Sequence, residues 1–170
     1  MDTWQIDHAM KTCSVTGAVF KGVFAADQLP TRSQDLPAAY IANCSNSDSG
    51  GTHWVAFYQE QADTIETFDS YGRPLALYNP NLQILTDKLK IIHQCQVLQQ
   101  SASATCGQYC MIFIFKRASQ LSYRDFIHLF TDNTRANDKM VCQFVNSCFD
   151  LKTRVYNNAL IKQISREFVQ

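Results

Sequence analysis

Three short segments of the sequence combine residue types that could support nucleophilic attack on an amide bond. His53 follows two glycines and opens an apolar run, Asp69 closes a second apolar run, and Cys106 separates a polar loop from a third. Only the thiolate form of cysteine attacks well, and a free cysteine thiol has a pKa of about 8.5. Chemistry at Cys106 therefore needs neighbouring groups that stabilise its thiolate.

Each of the three residues has a distinct role in such a site. A helix N-terminus carries partial positive charge and free N–H groups, which would stabilise the thiolate of Cys106. His53 would add the charge of an imidazolium and later protonate the leaving amine. Asp69 would hold the tautomer and the orientation of the imidazole. The sequence therefore predicts a catalytic group of these three side chains.

Attack on an amide also creates an oxyanion, which needs hydrogen-bond donors fixed in advance. The backbone N–H of Cys106 is one such donor, and the side-chain amide of Gln99 or of Gln100 is the other. Gly107 would leave a substrate free to approach the nucleophile, because it has no side chain. The residues alone leave the choice between the two glutamines open.

Taken one at a time, these residues have ordinary structural interpretations. A histidine at a strand start is more often structural, and an aspartate before a turn usually serves the turn. A zinc site is the metal alternative, with ligands from His93, Cys95, Cys106 and Cys110. The gap between the last two cysteines does not match zinc-ribbon spacing, so no metal is predicted. The ordered set of His, Asp, Gln and Cys-Gly is much less expected by chance.

The segments around these residues predict the elements that position them. Ala38–Ala42, Thr52–Tyr58 and Thr64–Phe68 are rich in apolar, β-branched and aromatic residues, and each is predicted to be a strand. The last two would form a hairpin. Because the start of one strand then lies near the end of the next, His53 would lie beside Asp69.

Helices are predicted on both sides of these strands. Leu75–Ile92 is predicted to be helical, divided by Pro80, and Cys95–Gln99 to be a further strand. Later helices are predicted over Cys106–Ala118, from Ser122 and around Val141 to Phe149. Strands in the middle of the chain with helices around them predict an α+β fold in one domain, residues 1–170.

Composition restricts the classes of partner. The 170 residues are 46% hydrophobic with a formal net charge of zero, so no large cationic face for DNA is evident. The local basic residues are interpreted as solvated surface: Lys116, Arg117, Lys152, Arg154, Lys162 and Arg166. No membrane segment or signal peptide is predicted, and the seven cysteines are expected to be free thiols in an intracellular, reducing compartment.

Three segments resemble the adenovirus proteinase (adenain) family, which shares its clan with the ubiquitin-like-protein proteases. They are Gly51-Thr52-His53-Trp54-Val55-Ala56-Phe57, Phe68-Asp69-Ser70-Tyr71-Gly72, and Gln99 through Cys106-Gly107-Gln108-Tyr109-Cys110. The resemblance covers roughly residues 17 to 118. It implies a papain-like cysteine protease in circularly permuted order, with a central mixed sheet flanked by helices.

The resemblance also implies roles for individual residues. His53 would be the base, Asp69 the orienting acid and Cys106 the nucleophile. Gln99, seven residues before the nucleophile as in adenain, would be the oxyanion donor, and Gln100 matches the spacing of the ubiquitin-like-protein proteases. Adenain has Glu where this chain has Asp69. The substrate-binding residues would be Gly51, Trp54 and Gly107, with a narrow channel beside the tryptophan that admits only glycine.

Such proteases cut after glycine, and the resemblance implies maturation of precursor proteins of an adenovirus-like virus or a Maverick/Polinton-type element. The chemistry would need no cofactor, although adenain is stimulated by a viral peptide and by DNA. Cys95 matches the cysteine that accepts this peptide by rough position only. The expected location is the host nucleus or cytoplasm, or the virion. Two alternatives remain: a deubiquitinating or ubiquitin-like-protein deconjugating protease, and an inactive scaffold or binding module.

Overall fold

A computed structural model describes residues 1–151, and the basic residues Lys152, Arg154, Lys162 and Arg166 lie outside the described residues. The fold is α+β, as predicted, and residues 1–151 form one five-stranded sheet and four α-helices. In chain order the elements are α1 (Thr3–Thr12), β1 (Phe20–Phe24), β2 (Ala38–Asn43), β3 (Trp54–Gln61), β4 (Thr64–Phe68), β5 (Lys90–His93), α2 (Cys106–Ala118), α3 (Tyr123–Ile127) and α4 (Thr134–Cys148). No helix among the described residues is long and apolar enough to cross a membrane.

The sheet is mixed, and its strands lie in the order β1-β2-β3-β4-β5. The pairs β2–β3 and β3–β4 are antiparallel, while β1–β2 and β4–β5 are parallel. The β3–β4 hairpin was predicted from the sequence. All six residues of β2 are buried, which is expected for a central strand covered on both faces.

Alternate residues of the central strands divide between two hydrophobic cores, since successive side chains point to opposite faces of a sheet. Ile41 and Ala56 belong to the first core, which the four helices cover. Tyr40 and Phe57 belong to the second, which is covered by short 3₁₀ segments such as Pro80–Leu85. The helical core therefore supports one face of the sheet, and the irregular segments support the other.

Helix α2 is fixed at its C-terminal end by a buried arginine. The guanidinium of Arg117 bonds Glu66 at 2.6 Å and Glu60 at 3.0 Å, and it lies over the ring of Tyr58 at 4.9 Å. The sequence-based interpretation of Arg117 as solvated surface is therefore wrong. Its position is explained by the two glutamates of the β3–β4 hairpin, which compensate a charge that would be costly to bury alone.

Two predicted elements differ in the structure. Leu75–Ile92 is not an α-helix, because it contains two 3₁₀ segments and then strand β5, which pairs in parallel with β4. Cys95–Gln99 is not a strand. The backbone N–H groups of Leu98 and Gln99 both donate to the carbonyl of Ser70, so this segment is held by the turn after β4 and not by a ladder.

Substitution of Gly72 by alanine is expected to destabilise the fold by about 2–5 kcal/mol. Gly72 has a φ of 67°, and an added Cβ would lie 2.5 Å from the carbonyl oxygen of Cys95. The left-handed conformation costs a non-glycine residue about 1–2 kcal/mol, and the backbone clash adds about 1–3 kcal/mol. Urea denaturation should show this loss. Gly50→Ala, where an added Cβ meets nothing within 4 Å, is the matched control and should change the free energy of unfolding by less than about 0.5 kcal/mol.

Candidate active site

The β3–β4 hairpin brings His53 and Asp69 together. His53 immediately precedes β3, Asp69 immediately follows β4, and the antiparallel register pairs Ala56 with Phe68 between them. His53 Nε2 lies 2.6 Å from Asp69 Oδ1, and both residues are buried. The proximity expected from the hairpin is therefore present in the structure.

Four donors surround the carboxylate of Asp69. Oδ1 accepts from His53 Nε2 and from the N–H of Tyr71, while Oδ2 accepts from the N–H of Arg73 at 2.9 Å and from the hydroxyl of Tyr78 at 2.9 Å. Burial alone would raise the pKa of Asp69. The hydrogen bond and the charge of His53 outweigh it, and with the two backbone N–H groups they lower the pKa of this carboxyl.

The imidazole of His53 is held in its protonated form. Burial favours the neutral ring, but the hydrogen bonds and charges of Asp69 and Cys106 raise the pKa of His53 to about 9. Because Nε2 is bound to the carboxylate, Nδ1 is the ring nitrogen that remains for Cys106. The rings of Tyr71 and Tyr78 lie 4.9 Å and 5.6 Å from the imidazole and fix its plane. His53 is therefore an imidazolium at neutral pH.

Cys106 is the first residue of α2, where the backbone N–H groups are not used by the helix. Burial would raise the pKa of its thiol. The hydrogen bond and charge of His53, together with the N–H groups of Trp54 and Gly107, lower the pKa of Cys106 instead. By contrast, Cys110, one turn later, is fully buried, and burial raises its pKa well above the ordinary value. The site therefore stabilises a thiolate–imidazolium pair at Cys106 and His53.

Gln99, and not Gln100, is the buried glutamine of the loop before the nucleophile; Gln100 is exposed. Gln99 Oε1 accepts from Ser70 Oγ at 2.6 Å. Its Nε2 lies within hydrogen-bond distance of the carbonyl of Ser103 at 2.8 Å, of Ser103 Oγ at 3.1 Å and of the Tyr71 hydroxyl at 3.2 Å. The amide thus fixes the loop before Cys106. Its role as oxyanion donor stays a prediction and would require Nε2 to exchange one of these partners for the oxyanion.

An open cleft of about 680 Å³ is lined by Cys106. Gly51, His53 and Trp54 line it, as do residues 1–3 and 23–25. Gly107 is buried instead, and a Cβ there would lie 3.1 Å from Ile6 Cδ1 and 3.3 Å from Trp54 Cδ1. The missing side chain of Gly107 therefore gives space to the core and to the tryptophan. Its predicted purpose, leaving substrate free to approach the nucleophile, stays a prediction.

Three residues of the site were not predicted from the sequence. Tyr71 and Tyr78 contact His53, and Asn43 lines the cleft. Tyr71 lies within the turn that also carries Asp69, and Asn43 is the one polar residue of an otherwise apolar strand. Local sequence patterns could therefore have identified both as site residues. Tyr78 lies in a segment without any clear pattern. Within residues 1–151, no group of three His, Cys, Asp or Glu side chains could hold a metal ion.

An α+β fold that carries His, acid, Gln and Cys in this chain order has the papain-like arrangement in circularly permuted order. The family model of the adenovirus endoprotease matches residues 20–146, and the chain belongs to this family.

Similar proteins agree with this assignment. The chain is 27% identical over 113 residues to a protease of Bovine adenovirus B serotype 3, covering 58% of this chain and 55% of that protein. It is 26% identical over 110 residues to a protease of Human adenovirus D serotype 9, covering 56% and 49%. The chain thus spans about half the length of these relatives. The crystal structure of an ASFV protease matches with a TM-score of 0.61 at 16% identity, covering 89% of this chain and 68% of that one, which shows a shared fold.

Proposed function

We propose that this chain is a cysteine endopeptidase that cleaves after glycine in precursor proteins of a virus or a Maverick/Polinton-type element. The observation that carries the proposal is the Cys106–His53 pair at the floor of an open cleft, with the imidazole bound to Asp69 at 2.6 Å. A thiolate that only packed in the core would need neither a charged partner nor access to solvent.

In the proposed reaction, the thiolate of Cys106 attacks the carbonyl carbon of the scissile peptide bond. The backbone N–H of Cys106 donates to the oxyanion that forms, and Gln99 is proposed as the second donor. His53 gives its Nδ1 proton to the leaving amine as the C–N bond breaks, which leaves a thioester on Cys106. The neutral imidazole then removes a proton from water, which attacks the thioester and releases the new carboxylate and the thiolate.

Glycine specificity is proposed from the walls of the cleft. Trp54 lies partly buried beside Cys106, and Gly51 lies on the loop that precedes it. The indole lies against Gly107, where an added Cβ would come within 3.3 Å of it, and it packs against the core that the helices cover. A packed indole next to the nucleophile would exclude a side chain at the cleaved position, because packed aromatic rings do not yield space without strain.

Further partners are proposed from the family. An activating peptide would bind the free edge of the sheet at β5, where Ile91 is 50% exposed and Ile92 is 38% exposed, and the exposed Cys95 lies close in sequence. Main-chain pairing along such an edge is a common mode of peptide recognition. DNA is proposed only as a weak second activator, because the chain is neutral overall. The proposed location is the host nucleus or cytoplasm, or the virion.

The proposal is tested with a peptide library that contains Gly-Gly and Gly-X bonds and with ubiquitin-like fusion proteins. Mass spectrometry of the new termini should show cleavage after glycine by the wild type and none by Cys106→Ala. Cleavage of ubiquitin-like fusions alone would assign the chain to the deconjugating proteases instead. A reactive Cys106 thiolate without cleavage of any substrate, with the activators supplied, would contradict the peptidase function and favour a binding module.

A further inference from the structure

We infer that Asn43 is a substrate-binding residue whose side-chain amide donates a hydrogen bond to a main-chain carbonyl of the peptide in the cleft. Asn43 is the last residue of β2, directly opposite Trp54 on β3. It is buried, with only 7% of its surface exposed, and it lines the same cleft as Cys106. The inference rests on the proposed peptidase function and extends it to the recognition of the substrate backbone.

The orientation of this amide is fixed by its own oxygen. Asn43 Oδ1 accepts from the backbone N–H of Ser45 at 2.9 Å and from that of Thr52 at 3.3 Å. Because both partners are donors, they must face the oxygen and not the NH₂ group. The loop between β2 and β3 is thereby closed around Asn43, and Nδ2 is directed away from these two contacts.

Nδ2 has no hydrogen-bond partner within residues 1–151. It lies against Gly51, where an added Cβ would come within 2.7 Å of it. Among the described residues, the buried side-chain atoms without a partner do not include this nitrogen, so Nδ2 reaches the solvent of the cleft and is available to donate to a ligand there. A ligand in the cleft that supplies an acceptor would satisfy it.

The acceptor in the ligand that best suits Asn43 Nδ2 is a main-chain carbonyl of a peptide. A peptide must lie extended to pass through an open cleft, and its carbonyl oxygens are present whatever its side chains are. Asn43 is neutral, so it needs no charged partner in the substrate. Gly51 brings bare backbone beside the donor, which lets another main chain approach closely. Asn43 therefore binds the backbone of the substrate by donating to a main-chain carbonyl, while Trp54 is proposed to exclude side chains.

The test is the Asn43→Asp variant, because a carboxylate still accepts from Ser45 and Thr52 but has no donor. On the peptide that the wild type cleaves, KM is expected to rise about tenfold while kcat changes less than about twofold. Iodoacetamide should alkylate Cys106 at the wild-type rate, since that small reagent needs no contact with Asn43. Asn146→Asp, the same substitution at an exposed position of α4 outside the cleft, is the matched control and should leave KM within about twofold.

Each outcome decides between the two proposals. An unchanged KM in Asn43→Asp, or an equal rise in Asn146→Asp, would overturn the role of Asn43 and leave the peptidase function intact. A slower reaction with iodoacetamide would show that Asn43 supports the thiolate instead of the substrate, and would overturn it too. If the wild type cleaves nothing, the peptidase function fails and the inference fails with it.

Discussion

Below pH 7, the His53→Ala variant is expected to lose the reactivity of Cys106 towards iodoacetamide. His53 is the largest stabilising influence on the Cys106 thiolate, and without it the pKa of the thiol should rise towards the ordinary value of about 8.5. At pH 6 the alkylation rate should then fall by about 10–100-fold, because the smaller thiolate fraction outweighs its higher intrinsic nucleophilicity. Peptide cleavage should fall by about a thousandfold or more.

The pH profile and the other cysteines provide the controls. The alkylation rates of Cys106 in the wild type and in His53→Ala should converge above pH 9, because His53 itself loses its proton with a pKa of about 9. Cys95 and Cys148 are exposed and should react at the same rate in both proteins, while the pKa of Cys44, raised to about 12 by burial, should keep it unreactive. Equal rates at Cys106 in wild type and variant at pH 6 would mean that the ion pair does not form.

Asp69→Asn is expected to lower kcat by about 10³–10⁴-fold and the free energy of unfolding by about 3 kcal/mol. Each carboxylate oxygen of Asp69 accepts two hydrogen bonds. An asparagine must therefore direct its NH₂ group at two donors, whichever way the amide is turned. The imidazole also loses its counter-ion, so it becomes neutral and the Cys106 thiolate loses its partner. Peptide cleavage and urea denaturation measure the two effects.

The pH dependence of stability separates this effect from simple misfolding. The pKa of Asp69 is lowered from 3.8, so its stabilisation is present above that pH and is lost as the pH falls through the lower native pKa. The pKa of His53 is raised from 6.5 to about 9, so its stabilisation is present below pH 6.5 and is lost as the pH rises to about 9. Asp69→Asn should flatten the fall in the free energy of unfolding between pH 6.5 and about 9, whereas Asp63→Asn on the exposed hairpin turn should retain this fall. A decline of equal size in both variants would contradict the pairing.

Local patterns predicted the parts of the site that a hairpin and a helix start determine. His53 and Asp69 flank two strands joined by a tight turn, so their proximity follows from strand geometry alone. Cys106 opens an apolar helix whose N-terminus is recognisable in the sequence. The contacts of Tyr78 depend on how the irregular segment after β4 folds back over the site, and no local rule reports them.

The segment from Leu75 to Ile92 shows why other predictions failed. Its apolar residues suit a helix, and Pro80 even begins a helical turn with Asn79 as its cap. Strand β5 forms only because Thr64–Thr67 of β4 offers an open edge for pairing, a tertiary contact that outweighs local preference. Cys95–Gln99 has the residue types of a strand, yet its N–H groups are taken by the turn at Ser70.

The order of the site residues along the chain has a consequence for biosynthesis. The hairpin that holds His53 and Asp69 is complete by residue 69, but Cys106 begins a helix that packs against it almost forty residues later. Helix α4 then secures the intervening loop, since Asn137 donates to the carbonyl of Leu98. A chain emerging from the ribosome thus carries its histidine and carboxylate without the nucleophile until Cys106 has been made. The Cys106–His53 pair on which the proposed peptidase activity depends therefore forms only after most of the described residues have been synthesised.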